Sequence, residues 1–499
     1  MTSSSKSQAY WLKTVWRVLL AIGALYLLLL IPDSAPPVNF TGNKQPFIWN
    51  RDEYWNALEE RFQTARDSGC ARLSPRIEKE LFQSHLLLSQ LASDTLAPDH
   101  SAFNELEKIF FELGPPIAAC PKKLPEYIQL QTRLRKLVKE QSQHWEMNSP
   151  SARDRIYRLL YGSRAALEEV MLQVSADSLS PGDDEPSQTP STKILGVTIH
   201  SGDILVSRGG APTSALIARG NDYPGNFSHV ALVHVDEKTN LASIIEAHIE
   251  RGVAISTLEE YLRDKKLRVM ILRLRSNLPA LVADPLLPHQ AAAYALQEAR
   301  DRHIPYDFAM NYHDHAGLFC SEVASFAYEK FGVKLWMGIS HISSPGVCAW
   351  LAAFGVRHFE TQEPADLEYD PQLRVVAEWR DPEILYQDHV DNAVVDARLE
   401  GAERGDRLNY EWHLLPFARV MKGYSFLLNL IGKAGPVPEG MNAAAALRHT
   451  QFNQTHLQIK KRVLQTAAAF QQEHGYRPPY WELVQFARRV QEELQNLKR

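Results

Sequence analysis

An α+β chain is predicted, with an antiparallel sheet in the middle, helical regions on either side and one apolar helix at the N-terminus. Three observations carry this. Between residues 196 and 385, short runs rich in Val and Ile recur, separated by Gly, Asn and Asp. Residues 51 to 177, and the chain beyond Asp391, place apolar residues at helical spacing. The first residues carry Lys6, Lys13 and Arg17 and then an uncharged run from Val18 to Ile31.

The 499 residues suggest two to three domains. The net charge of −5 is modest and no basic stripe is interleaved with aromatics, which argues against a nucleic-acid partner. The uncharged run is short for a membrane span. Counted from Val15, with Arg17 reaching to the interface and Trp11 and Trp16 at headgroup depth, it makes a near-minimal one. Its exit, Ile31-Pro32-Asp33-Ser34-Ala35-Pro36-Pro37, lacks a good small-residue cleavage site. Residues 1–37 are therefore expected to be an uncleaved signal anchor. The N-terminus would be cytoplasmic and the bulk exported, to the periplasm in a bacterium with two membranes.

Residues 38–50 read as a linker and 38–177 as a helical domain. Trp55, Leu58 and Phe62 form one stripe, and Phe103, Leu106, Phe110 and Leu113 another. Ser74-Pro75 looks like a helix start. Such stripes are packing surface, so this domain is assigned no chemistry; it would space the chain from a membrane or bind a protein partner. Residues 178–195, rich in Ser, Pro and Asp, read as a flexible linker.

Strands are expected at Gly202–Val206, Phe227–Val235, Ser243–Ile249, Gly252–Ser256 and Leu267–Leu274. Cys320 stands between an irregular stretch and a helical one, Ser321 to Phe331, closed by Gly332. A cysteine at a helix start has its thiolate stabilised by unpaired N–H groups and the helix dipole. Alternation puts His229 on one face of its strand, and Ile244, Glu246 and His248 together on theirs. A His and a Glu on neighbouring strands supply a base and its orienter for a thiol presented by a helix on the same face.

This series is Gly-Asp-Ile-Leu, Ser-His-Val-Ala-Leu-Val, Ile-Glu-Ala, Tyr306-Asp307-Phe308 and Phe-Cys-Ser-Glu-Val. It resembles the circularly permuted branch of the NlpC-type papain-like cysteine hydrolases, the YaeF/YiiX and YebB-like proteins, which are related to the lecithin:retinol acyltransferase group. In that branch the His-bearing strand precedes the Cys, as here. The resemblance covers roughly residues 196 to 380. It implies a permuted papain-like domain with Cys320 as nucleophile, His229 as general base and acid, and Glu246 as third polar residue. His248 is the other candidate for the third place, and Tyr306 a candidate to contact substrate. Phe319 stands where the family usually shows Tyr.

The domain is bounded at 196–385, with a C-terminal helical region at 386–499. His313-Asp314-His315 offers three potential ligands but no partner cluster completes a zinc site, so these residues are read as cleft-lining and no metal or cofactor is expected. The apolar stretch from Tyr424 to Ile431 is too short to span a bilayer and reads as core, with contact to a membrane surface or a lipid-like substrate as the alternative. The four cysteines allow three connectivities and the sequence does not choose among them; a Cys70–Cys120 pair would staple the helical domain.

The function expected is thiol-dependent hydrolysis of an amide through a thioester. The Cys320 backbone N–H would help hold the oxyanion. A cell-wall peptide is the first substrate class expected, cleaved by an endopeptidase or amidase. The alternatives are a lipid or lipoprotein acyl hydrolase or acyltransferase, and a membrane-anchored scaffold with an inactive papain-like module.

Overall fold

The computed structural model describes residues 4–32, 45–48, 51–174 and 179–496. The chain opens with α1 (Ser4–Leu29) and a helical bundle: α2 (Arg51–Ser68), α3 (Cys70–Leu91), α4 (Ala102–Ala118), α5 (Leu124–Gln141) and α6 (Pro150–Gln173). The Phe103, Leu106, Phe110 and Leu113 stripe is buried in the bundle core, as its spacing predicts. A disulfide joins Cys70 to Cys120. Helix α3 starts at Cys70 rather than at Ser74, so Pro75 falls inside it. Of the expected linker at 38–50, only residues 45–48 are among those described. Phe47 there donates its N–H to Asp222 O (2.8 Å) and stacks against Tyr223.

Strand β1 (Leu179–Pro181) follows, then the hairpin β2 (Ser191–Ile194) and β3 (Val197–His200). Next come β4 (Ile204–Gly209), α7 (Pro212–Arg219), β5 (His229–Val235), β6 (Ala242–His248), β7 (Gly252–Thr257), α8 (Leu258–Arg263) and β8 (Lys266–Leu274). After α9 (Pro279–Ala283), α10 (Leu287–Asp301) and α11 (Glu322–Glu329), the short pair β9 (Ser340–His341) and β10 (Glu360–Thr361) brackets α12 (Pro345–Phe354). Helix α13 (Asp366–Tyr369) leads into β11 (Leu373–Trp379). The chain ends in α14 (Pro382–Glu403), α15 (Leu415–Asn429), α16 (Ala443–His474) and α17 (Tyr480–Asn496).

The main sheet is antiparallel throughout, in the order β1-β11-β8-β4-β5-β6-β7. Six strands form its body and β1 is a three-residue edge. The stretch read as a flexible linker, 178–195, thus supplies two strands, β1 and β2: its polar composition hid backbone pairing, which continues beyond β1 as Gly182 N–H to Val376 O and Asp183 N–H to Val375 O.

Strand alternation splits the sheet into two faces. Val206, Val230, Leu232, Ile245, Ala247 and Leu272 face α10 and α11. Leu205, Ala231, Val233, Ile244 and Ile271 face α8 and the β2–β3 hairpin. A buried charge network ties the β8–β11 side to the helices around it. Arg268 on β8 bonds Glu168 of α6 (2.6 Å) and Asp388 of α14 (2.7 Å), and Arg164 of α6 pairs with Glu368 and Glu378.

The N-terminal anchor expectation requires correction. Helix α1 forms, but no helix among the described residues is long and apolar enough to cross a membrane. From Val18 to its last residue, Leu29, it has 12 uncharged residues, roughly 18 Å of helix against a hydrocarbon core of about 30 Å. The reading of Tyr424–Ile431 as core fails too: Phe426, Leu427, Leu430 and Ile431 are all exposed. Periodicity marks an apolar face but not whether anything covers it.

Candidate active site

His229 opens β5 and Glu246 lies near the end of β6. Register pairs Ala231 with Glu246, so both side chains project from the α8 face and meet. His229 Nε2 lies 2.8 Å from Glu246 Oε2. The other carboxylate oxygen accepts from Ser256 Oγ on β7 at 2.9 Å and has His248 Nε2 at 3.3 Å. Both candidates for the third place thus stand at one centre, with Glu246 between the two imidazoles, whose ring centroids are 5.7 Å apart.

Burial alone would raise the Glu246 carboxyl, but the hydrogen bonds from His229 and His248 outweigh it and hold the group well below the usual carboxylate range. Glu246 is therefore an anion at neutral pH and can only accept. The His229 Nε2 must carry the proton, leaving the lone pair on Nδ1. Burial holds the imidazole below its ordinary value despite Glu246, so His229 rests neutral near pH 7. A neutral imidazole with one nitrogen committed to a carboxylate is a general base with its free nitrogen defined.

Cys320 reaches this centre by a different route from the one alternation suggests. Helix α11 buries Val323, Ala324, Ala327 and Tyr328 against Val230, Leu232 and Ala247, the sheet face opposite to His229 and Glu246. Cys320 lies in the turn ahead of α11. Glu322 N–H donates to Phe319 O at 3.0 Å, and Glu322 Oε2 accepts the Phe319 N–H at 2.9 Å, which pins the turn. Gly332 closes the helical stretch at φ +77°, as its position predicts.

From that turn the sulfur enters the sheet at the start of β5. Pairing of β5 with β6 runs from Val235 only to Ala231. Beyond it, the groups flanking His229 turn to Cys320 instead: Sγ lies 3.8 Å from Ser228 O, and the Val230 N–H donates toward the sulfur. The thiol therefore lies at the start of β5, next to the residue that bears the imidazole.

The resting thiol is protonated. Burial, and secondarily the Glu363 carboxyl, push it up to about 12, against the pull of Ser321 and the Val230 N–H. The expected lowering by a helix start is outweighed because Cys320 is buried, 5 % exposed. Cys320 and Cys348 are both free thiols.

Tyr306 is fixed beside the cysteine turn. Leu318 N–H donates to Pro305 O (3.0 Å) and Asp307 N–H to Leu318 O (3.3 Å). Burial first, and the Cys320 sulfur next, raise the Tyr306 phenol well above its ordinary value, so it remains a potential donor. The His313 ring lies tilted against Tyr312 at 4.1 Å between centroids, and His315 lies 3.6 Å from both Glu322 and Glu329. No group of three or more metal-ligating side chains is found among the described residues.

Three residues of the centre escaped the sequence reading. Ser256 was legible, since its alternation on β7 gives it the Glu246 face. Glu363, raised to about 8 by burial, and Glu322, raised to about 9 by burial, were not. Their roles depend on loop packing that carries no period.

Residues 198–377, which include His229, Glu246 and Cys320, match the permuted papain-like amidase enzymes, YaeF/YiiX. This segment is a C92-family domain. It covers just over a third of the chain. The C92 match begins within β3 and ends within β11, so it spans the body of the sheet and α11 but leaves out the helical bundle and α14 to α17. No curated protein and no solved structure matches the chain.

Proposed function

We propose that the chain is a cysteine hydrolase that cleaves an amide through a thioester, with Cys320 as nucleophile, His229 as base and acid, and Glu246 holding the imidazole. The observation that carries this is the committed Nε2 of His229, bonded to an anionic Glu246 at 2.8 Å, beside a free cysteine. His229 Nδ1 takes the thiol proton as sulfur attacks the carbonyl carbon. The same nitrogen returns it to the leaving amine as the carbon–nitrogen bond breaks. Water then gives a proton to His229 and adds to the thioester, and the thiol reforms as the acid departs. The Cys320 backbone N–H is the proposed oxyanion donor, and Tyr306 a second polar contact. The pKa directions favour a neutral Cys–His pair at rest, so proton transfer accompanies attack rather than preceding it.

Cell-wall peptides are the first substrate class proposed, on the strength of the amide chemistry of the family. A second reading, an acyl hydrolase or acyltransferase acting on lipid or lipoprotein, is favoured by the exposed apolar faces of α1 and α15. Purified full-length protein would be offered peptide amides and acyl esters, with acyl-enzyme sought by mass spectrometry. An adduct on Cys320, absent from Cys320→Ala and much reduced in His229→Ala, supports the assignment. Hydrolysis that survives Cys320→Ala overturns it.

A further inference from the structure

Two apolar faces from opposite ends of the chain meet on one surface. On α1, Trp16, Leu20, Leu27 and Leu28 are each more than 60 % exposed. On and beside α15, so are Trp412, Phe417, Leu427, Leu430 and Ile431. The two elements are bonded to each other: Tyr26 Oη donates to His413 O (3.0 Å), and Arg419 donates to Leu29 O (2.9 Å). Helix α15 is anchored from behind, with Leu415 and Ala418 packed on Ala443 and Ala444 of α16. Soluble proteins rarely leave so large an apolar surface uncovered unless something docks on it.

We propose that this surface is a platform that seats the protein on an anionic lipid bilayer. The charge pattern selects the occupant. Residues 1–32 contain three Lys or Arg and no Asp or Glu, and residues 412–434 repeat that count, in a chain with 59 acidic residues against 54 basic ones. A second copy would bring the same excess of positive charge in these segments, which opposes pairing, whereas anionic headgroups complement it. Trp16, Trp412 and Tyr424 are side chains of the kind that settle at headgroup level. Seating needs no span, because the apolar side chains enter only the headgroup–acyl boundary.

The platform also reaches the active site through one loop. Lys422 of α15 donates to Pro438 O (2.9 Å) and Glu439 O (2.8 Å), and Gly440 N–H to Ile249 O (3.1 Å), next to His248.

Full-length protein would be sedimented with vesicles of phosphatidylcholine alone and with about a third phosphatidylglycerol, at low and high salt. The expected result is binding to the anionic vesicles, weakened by salt and by at least ~10-fold in Phe417→Glu/Leu427→Glu. Circular dichroism and Cys320 alkylation of that variant would match wild type, showing that fold and active site survive. Wild type that stays in solution, or a variant that binds as wild type does, overturns the proposal. A discrete dimer lost in the variant, without vesicle binding, assigns the face to self-association instead. Neither outcome touches the hydrolase reading, which is tested on soluble substrates.

Discussion

Replacing Glu246 by glutamine keeps the shape of the side chain and removes its charge. The carboxylate accepts from His229 Nε2 at 2.8 Å and Ser256 Oγ at 2.9 Å. A hydrogen bond to a charged group contributes ~1.5–3 kcal/mol and a neutral one ~0.5–1.5, so weakening both costs about 2–3 kcal/mol of stability. The larger effect is on the base. If the amide NH2 faces His229, Nε2 must become an acceptor and the imidazole proton moves to Nδ1, where it blocks attack on the thiol; such a tautomer reversal costs up to ~10⁴ in rate. If the amide oxygen faces His229, the tautomer survives but the imidazolium loses its counter-charge, a loss of ~10–100-fold at 1.36 kcal/mol per decade. The expected fall in turnover therefore lies between about 10 and 10⁴. The assay is the pH profile of turnover together with that of Cys320 alkylation. Glu246 raises His229 against burial, so its removal lowers the imidazole further, and the acid limb moves to lower pH. A merely structural role would not move that limb. Turnover within about three-fold of wild type, with an unshifted acid limb, would refute the assignment of His229 and Glu246.

Three further outcomes follow from the same geometry. Glu363→Gln should leave Cys320 alkylation unchanged below pH 8, where Glu363, raised to about 8, is mostly protonated, and speed it above, where the wild-type carboxylate opposes the thiolate; iodoacetamide kinetics across pH 6 to 10 check this. Glu322, raised by burial to about 9 from an unfolded value near 4.5, contributes stability that is full below pH 4.5 and lost as pH rises through 9. Melting temperatures measured across that window should therefore fall more steeply in wild type than in Glu322→Gln. Arg268→Met strips a partner from Glu168 and Asp388, both buried, and should cost ~3–5 kcal/mol in urea unfolding, the usual loss when one half of a buried ion pair is removed.

Much of the sheet was legible because buried strands announce themselves through runs such as His229 to Val235, and the helices through stripes such as Phe103 to Leu113. The meeting of His229, Glu246 and His248 was legible because side-chain period and neighbouring strands suffice to bring them together. The position of Cys320 was not. Alternation suggested a helix on the same face, whereas α11 packs on the other and its preceding turn enters through a gap in strand pairing. The thiol's protonation was missed for a related reason: a helix start lowers a thiol pKa only where burial does not outweigh it. The strand at 179–181 was hidden by its Ser-Pro-Gly composition, since an edge strand can be held by backbone pairing with little side-chain signal.

The charge network between the sheet and its surrounding helices bears on how the chain matures. Arg268 needs Glu168, 100 residues earlier, and Asp388, 120 residues later. On a chain made from its N-terminus, His229, Glu246 and Cys320 are all synthesised while Asp388 is still to come. Until then β8 carries a buried guanidinium short of a counter-ion, next to the β4 strand that pairs with β5. A product that ends before Asp388 would thus carry His229, Glu246 and Cys320 while Arg268 lacks one of its two acidic partners.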